Sequence, residues 1–215
     1  MARNKYPEIT EERILDAAQR LFLEKGYEST TIQDIVDELG GLTKGAVYHH
    51  FKSKEEIMDA VGDRMFLEHN PFEAVRGRSD LNGLEKLREA IRLNQADGAR
   101  TTMTAQSIPL TRNPRVLVGM IDSNRRILTP YFQELIEEGN RDGSIHTQYS
   151  RELAELLPLL TSLWLLPTVF PATREEMRRK FTFIGEMLEQ MGLPLFDDTI
   201  RPLVDEFFQR IPEYD

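Results

Sequence analysis

The sequence predicts an all-α fold: an N-terminal three-helix helix-turn-helix domain, joined through a shared fourth helix to a larger helical domain. Three observations carry this. Apolar residues recur at i, i+3, i+4 and i+7 along most of the 215 residues, and the period-2 alternation of strands is nearly absent. Threonine or serine followed three residues later by Glu or Gln marks several helix starts. Turn-forming clusters at Asn70-Pro71, Arg76-Gly77-Arg78, Thr111-Arg112-Asn113-Pro114, Gly139-Asn140-Arg141-Asp142-Gly143 and Pro167 to Pro171 cut the remainder into further helices.

Thr10 is expected to cap the first helix, whose buried face is Ile14, Ala17, Ala18, Leu21 and Phe22, with Lys25-Gly26 as its stop. Thr30 with Gln33 reads as a capping box for the second, which carries Ile32, Ile35, Val36 and Leu39 on one stripe before Gly40. Only Gly40, Gly41 and Leu42 then precede Thr43, the expected N-cap of the third. Lys44, Gly45 and Ala46 form its first turn, and Val47 and Phe51, spaced i and i+4, anchor it. Two short helices joined by a Gly-containing turn, packed on a longer one, describe a helix-turn-helix whose second member is the reader. Ser53 with Glu56 opens a fourth helix through Ile57, Ala60, Val61 and Met65. No linker follows Lys54, so a shift in the body is expected to move the reader. The boundary falls between 1–54 and 55–215.

In the body, Leu81, Leu84, Leu87 and Ile91 start one helix, and Leu117, Met120, Ile121, Asn124, Leu128, Tyr131 and Leu135 are the stripe of another. Leu153, Leu156, Leu157, Leu160, Leu163 and Trp164 make an apolar face in which Pro158 is expected to introduce a kink. Thr173 and Glu176 cap a segment where Met177, Phe181, Ile184, Leu188 and Met191 alternate by four and three before Gly192. Such a seam packs at a shallow angle on another helix, within the chain or in a second copy. Ile200, Leu203, Val204, Phe207 and Phe208 give a last amphipathic helix over 198–210, which either covers the body or extends a dimer.

Composition narrows the function. With 40% hydrophobic and 29% charged residues, the chain is an ordinary globular protein. It has no apolar run long enough for a membrane span, and Met-Ala-Arg-Asn-Lys lacks a signal-peptide core, so a cytoplasmic protein is expected. Zero cysteines remove disulfides, thiol nucleophiles and thiolate metal sites. Neither Lys25-Gly26 nor Lys44-Gly45 has the order of a phosphate-binding loop. His49, His50, His69 and His146 have no metal-ligand spacing with a carboxylate. Glu11-Glu12, Glu55-Glu56 and Glu175-Glu176 sit at helix starts, where they offset the dipole. No enzyme, metal or cofactor is expected.

One window opposes the global charge. The formal net charge is −9, yet Leu39 to Lys54 holds three Lys, two His and no Asp or Glu. Only an acid-free window approaches phosphate without short-range repulsion. Tyr48, His49, His50 and Lys54 are free to donate to phosphates, although Tyr48 and His50 suit a half-buried place between helices equally well.

Ile14-Leu15-Asp16-Ala17-Ala18 with Leu21-Phe22, Gly26-Tyr27, Thr30-Thr31 with Asp34-Ile35, and the run Lys44 to Glu55 resemble the TetR family of bacterial transcription regulators. This chain has one residue more than usual between the glycine ending the second helix and the lysine opening the third, so Gly41 or Leu42 reads as an insertion. The resemblance implies that Thr31 and Gln33 lie against the DNA backbone and a base. Lys44, Gly45 and Ala46 face base edges, with Thr43 as a further DNA-binding residue, and Tyr48, His49, His50 and Lys54 hold phosphates. Read from the residues themselves, Arg3 and Lys5 ahead of the first helix form either a small basic arm that adds phosphate contacts or reaches a minor groove, or a terminus without order. The resemblance further implies a homodimer through helices near 150–166 and 174–191, bound to a palindromic operator in double-stranded DNA. A small, largely apolar effector would enter the body and relieve repression. Met103, Met120, Phe132, Trp164 and Phe170, with Asn124 and Gln106 as polar contacts, are the candidates to line its cavity. The rival reading is a helical protein-protein interaction module without DNA binding, which would lack the steep salt dependence of phosphate contacts.

Overall fold

A computed structural model of the chain describes residues 7–210, and every regular element in them is helical. Arg3, Lys5 and the proposed basic arm lie outside the described residues. The first unit comprises α1 (Pro7–Lys25), α2 (Ile32–Leu39), α3 (Lys44–His50) and α4 (Lys54–Glu68).

Thr10 is not the cap of α1: the helix already runs from Pro7, and Thr10 lies inside it, 8% exposed. Proline suits a first turn, where the N–H it lacks has no partner in any case. The capping box of α2 is also displaced by one residue from Thr30 and Gln33. Thr31 Oγ1 accepts from the Asp34 N–H at 3.1 Å, and the Asp34 carboxylate accepts the Thr31 N–H at 2.7 Å. A carboxylate at this position also meets the positive end of the helix dipole, and the Thr31 hydroxyl, donating to Asp34 Oδ2 at 2.6 Å, followed by the Thr31 N–H, lowers the Asp34 pKa. Thr30 is instead fully buried, donating its hydroxyl to Leu21 O at 3.2 Å and Gly26 O at 2.9 Å.

The longer turn before α3 is built from two glycines in the left-handed region, Gly40 at φ +50° and Gly41 at φ +88°. A side chain is strained there, so the additional residue and the pair of glycines belong together. Thr43 caps α3 as expected, its Oγ1 accepting from the Ala46 N–H at 3.2 Å. Ile57, Met58, Val61 and Met65 of α4 complete the core begun by Ile14, Phe22, Ile35 and Val47. This first core therefore extends well past residue 54.

The body continues with α5 (Pro71–Arg76), α6 (Gly83–Ala96) and α7 (Gly98–Ser107), then a 3-10 turn at Ile108–Arg112. Next come α8 (Pro114–Ser123), a π-helical turn at Asn124–Leu128, and α9 (Thr129–Asp142). α10 (Ser150–Leu159) leads into a second π turn at Leu160–Trp164, followed by α11 (Arg174–Gln190) and α12 (Arg201–Arg210). A second core, with Leu87, Ile136, Leu157, Ile184, Leu188 and Phe208, lies among these helices. α6 and α9 approach so closely that a Cβ on Gly83 would sit 2.3 Å from Gly139 N.

Two body expectations change in detail. The stripe from Leu117 to Leu135 is interrupted by the first π turn, which advances the register; Val116 is buried, whereas Ile121 is 38% exposed. Pro158 has no N–H for the carbonyl four residues back, and the second π turn follows it directly. α12 covers the body, burying Val204 and Phe208 in the second core beside Ile200, which precedes the helix. No helix among the described residues is long and apolar enough to cross a membrane.

Candidate nucleic-acid interface

α3 is fixed from below and open above. Val47 is 0% exposed and Phe51 4%, and both sit in the first core. On the other side Thr43, Lys44, Gly45, Tyr48 and His49 are exposed, with Ala46 half-buried among them. Gly45 and Ala46 keep this turn low, so the backbone itself can approach a base edge. Thr31 and Gln33 are exposed at the start of α2, where Gln33 Nε2 donates to Asp37 Oδ1 at 2.6 Å. Glu38 pairs with Arg20 at 3.0 Å and Asp34 with Lys25 at 3.5 Å.

Two of the expected phosphate donors are turned inward. His50 has a side chain only 8% exposed and Nδ1 3.9 Å from Glu11 Oε2, so it lies between α3 and α1. Lys54 donates Nζ to Tyr27 O and to Thr30 O, each at 2.8 Å, and sits 4.0 Å from the centre of the Tyr27 ring. Buried carbonyls need partners, and a long lysine satisfies two of them here. Burial, with the Glu55 carboxylate beside it, pushes the Tyr27 phenol up. Lys52, exposed just after α3, belongs to the same acid-free face and was not among the expected contacts. Its place inside the Leu39–Lys54 window without Asp or Glu is the signal that finds it, although its backbone N–H donates to Glu56 Oε2 at 2.6 Å.

The expected effector-lining residues do not converge. Met103 is 4% exposed and belongs to the first core, and Gln106 accepts the Tyr27 N–H at 3.1 Å. Trp164 packs edge-on against Phe183 of α11 at 5.7 Å, and Phe170 is exposed beside Lys180, whose Nζ donates to Phe170 O at 3.2 Å. Phe132 meets Phe72 edge-on at 5.1 Å, and Met120 is half-buried on α8. Asn124 Nδ2 is buried with no hydrogen-bond partner among the described residues. No group of three or more His, Asp or Glu in the described residues is arranged to hold a metal ion.

A short helix held by its apolar side, with a small-residue, acid-free turn outward, packed on two others, defines a helix-turn-helix DNA-binding regulator. Residues 14–61 match the model of the family described as bacterial regulatory proteins, tetR family. The HTH-type transcriptional regulator TtgR of Pseudomonas putida is 40% identical over 72 residues, 33% of this chain and 34% of that protein. The chain thus spans about a third of that relative's length, the share over which the two match. The HTH-type transcriptional repressor KstR2 of Rhodococcus jostii is 30% identical over 149 residues, 66% of this chain and 70% of that one. Among solved structures, a TetR-family transcriptional regulator from Pectobacterium atrosepticum shares the fold with a TM-score of 0.63 at 23% identity, covering 89% of this chain and 98% of that chain. Salmonella enterica GusR does so with a TM-score of 0.59 at 23% identity, over 89% and 99%. The chain belongs to the TetR family of bacterial regulatory proteins.

Proposed function

We propose that the protein is a cytoplasmic, homodimeric repressor that binds a palindromic operator and is released by a small, largely apolar effector, without enzymatic activity. The observation that carries the reading is the acid-free, exposed face of α3 in a chain of net charge −9. One such helix has a small footprint, and a twofold pair reads two half-sites about one helical turn apart or slightly more. Lys44 is the cation aimed at base edges, with Thr43, Gly45 and Ala46 beside it; Thr31, Gln33, Tyr48, His49 and Lys52 meet the backbone. The outer sides of α10 and α11 suit the pairing, since Leu156, Leu159 and Phe183 are 37%, 37% and 54% exposed there. The buried, unpartnered amide of Asn124 suits a polar contact to the effector.

Selection of genomic fragments on the purified chain, followed by fluorescence anisotropy and sizing of the complex, tests the reading. One fragment with an inverted repeat, bound by two chains, is expected. A chain that enriches no fragment would leave only the protein-interaction alternative.

A further inference from the structure

Reading of DNA by α3 does not account for the contact between α7 and the loop after α1. α7 turns Arg100, Met103 and Gln106, spaced by three, toward the first unit. Arg100, 9% exposed, donates to Met65 O at 3.1 Å and His69 O at 2.8 Å at the C-terminal end of α4, where a cation also suits the helix dipole. Met103 fills the first core. Gln106 Oε1 then accepts the Tyr27 N–H at 3.1 Å.

That hydrogen bond closes the end of α1. Gly26 turns the chain at φ +84° and returns its own N–H to Phe22 O at 3.0 Å. In a Schellman end the next N–H also goes back to the helix, whereas here it goes to α7. Tyr27 is 3% exposed, so a lost acceptor would leave a buried donor unsatisfied. From the opposite side Lys54 holds the Tyr27 and Thr30 carbonyls of the same loop. The loop ends at Thr31, the N-cap of α2, against which α3 packs.

We infer that Gln106 is a positioning residue for DNA reading: α7 fixes the Tyr27–Thr31 loop, and through it the setting of α2 and α3, in parallel with the route through α4. The inference rests on the reading of α3 as the DNA-binding helix. A movement of the body that withdraws α7 therefore shifts the reader even with α4 in place.

The test compares the wild type, Gln106→Leu and Gln106→Glu, by anisotropy on the selected fragment and by hydrogen exchange at the Tyr27 amide. Gln106→Leu, similar in size without the acceptor, is expected to lose protection at Tyr27 and to weaken binding about tenfold, the scale of one net hydrogen bond. Gln106→Glu keeps an acceptor and is expected to restore both. Binding of the Leu variant within about twofold of wild type, or a Glu variant as weak as the Leu one, overturns the inference; a factor of two is below what a lost hydrogen bond sets. Should Gln106→Leu fail to fold by circular dichroism, Gln106→Ala takes its place under the same criteria. A wild-type chain that binds no fragment overturns the DNA reading and the inference with it, an outcome distinct from a binding wild type beside an unaffected variant.

Discussion

The first unit and the body bury similar side chains, Phe22, Ile14 and Ile57 in one and Leu87, Ile136 and Leu188 in the other, but they differ in what they expose. The first unit exposes small and basic groups on α3 at almost no distance from its core, because Val47 and Phe51 anchor that helix from beneath. The body exposes scattered apolar side chains, Val118 on α8, Leu156 and Leu159 on α10, and Phe183 on α11. A recognition surface made of backbone and short side chains depends on an exact core below it. If the body pairs with a second chain, as proposed, that surface depends on the apolar area it presents.

The contrast predicts unequal results for changes of similar kind. Phe22→Ala removes a ring with no exposed surface from the first core and is expected to cost about 3–5 kcal/mol in urea unfolding, with fragment binding lost. Gly83→Ala places a methyl against the backbone of Gly139 in the body and is expected to cost about 1–3 kcal/mol. Binding should survive that change wherever the chain remains folded, since α6 and α9 stand away from α3. If both variants lost binding in proportion to stability alone, the two regions would not be separable in function.

The smallest expected effect concerns pH. Partial desolvation, then the charges of Asp63, Glu55 and Glu56, push the Asp59 carboxyl up from 3.8 to about 6. The folded chain thus holds this proton more tightly than the unfolded one, so the contribution of Asp59 to stability falls as pH rises from 3.8 to about 6 and stays low above it. Asp59→Asn should flatten that part of the pH profile and be slightly more stable than wild type at neutral pH, by urea midpoints at pH 4.5 and 7. The effect is small because much of the Asp59 side chain remains in water.

Much of the fold was legible because helical spacing writes each helix's buried face into the chain: Ile14, Leu21, Phe22, Ile35, Val36, Val47 and Phe51 are buried as that spacing requires. The face of α3 was legible for a different reason, a lack of acids that no packing demand imposes. Spacing does not tell which neighbour a face will meet. Met103 and Gln106 have the look of cavity residues and meet the first unit instead. Nor does it tell which way a long side chain reaches, and Lys54 found carbonyls before solvent. Adjacent threonines are ambiguous for the same reason: Thr30 and Thr31 both suit a cap, and burial of Thr30 decided it.

Whether the exposed face of α3 reads DNA is decided by the salt dependence of binding to the selected fragment. The logarithm of affinity for wild type should fall steeply and linearly with that of salt concentration. Lys44→Ala should weaken binding by about 1–3 kcal/mol and, for any phosphate it touches, lessen the slope by about 1 per reader, with unfolding unchanged. A slope near zero for wild type, or affinity and slope both untouched by Lys44→Ala, would contradict DNA reading by α3.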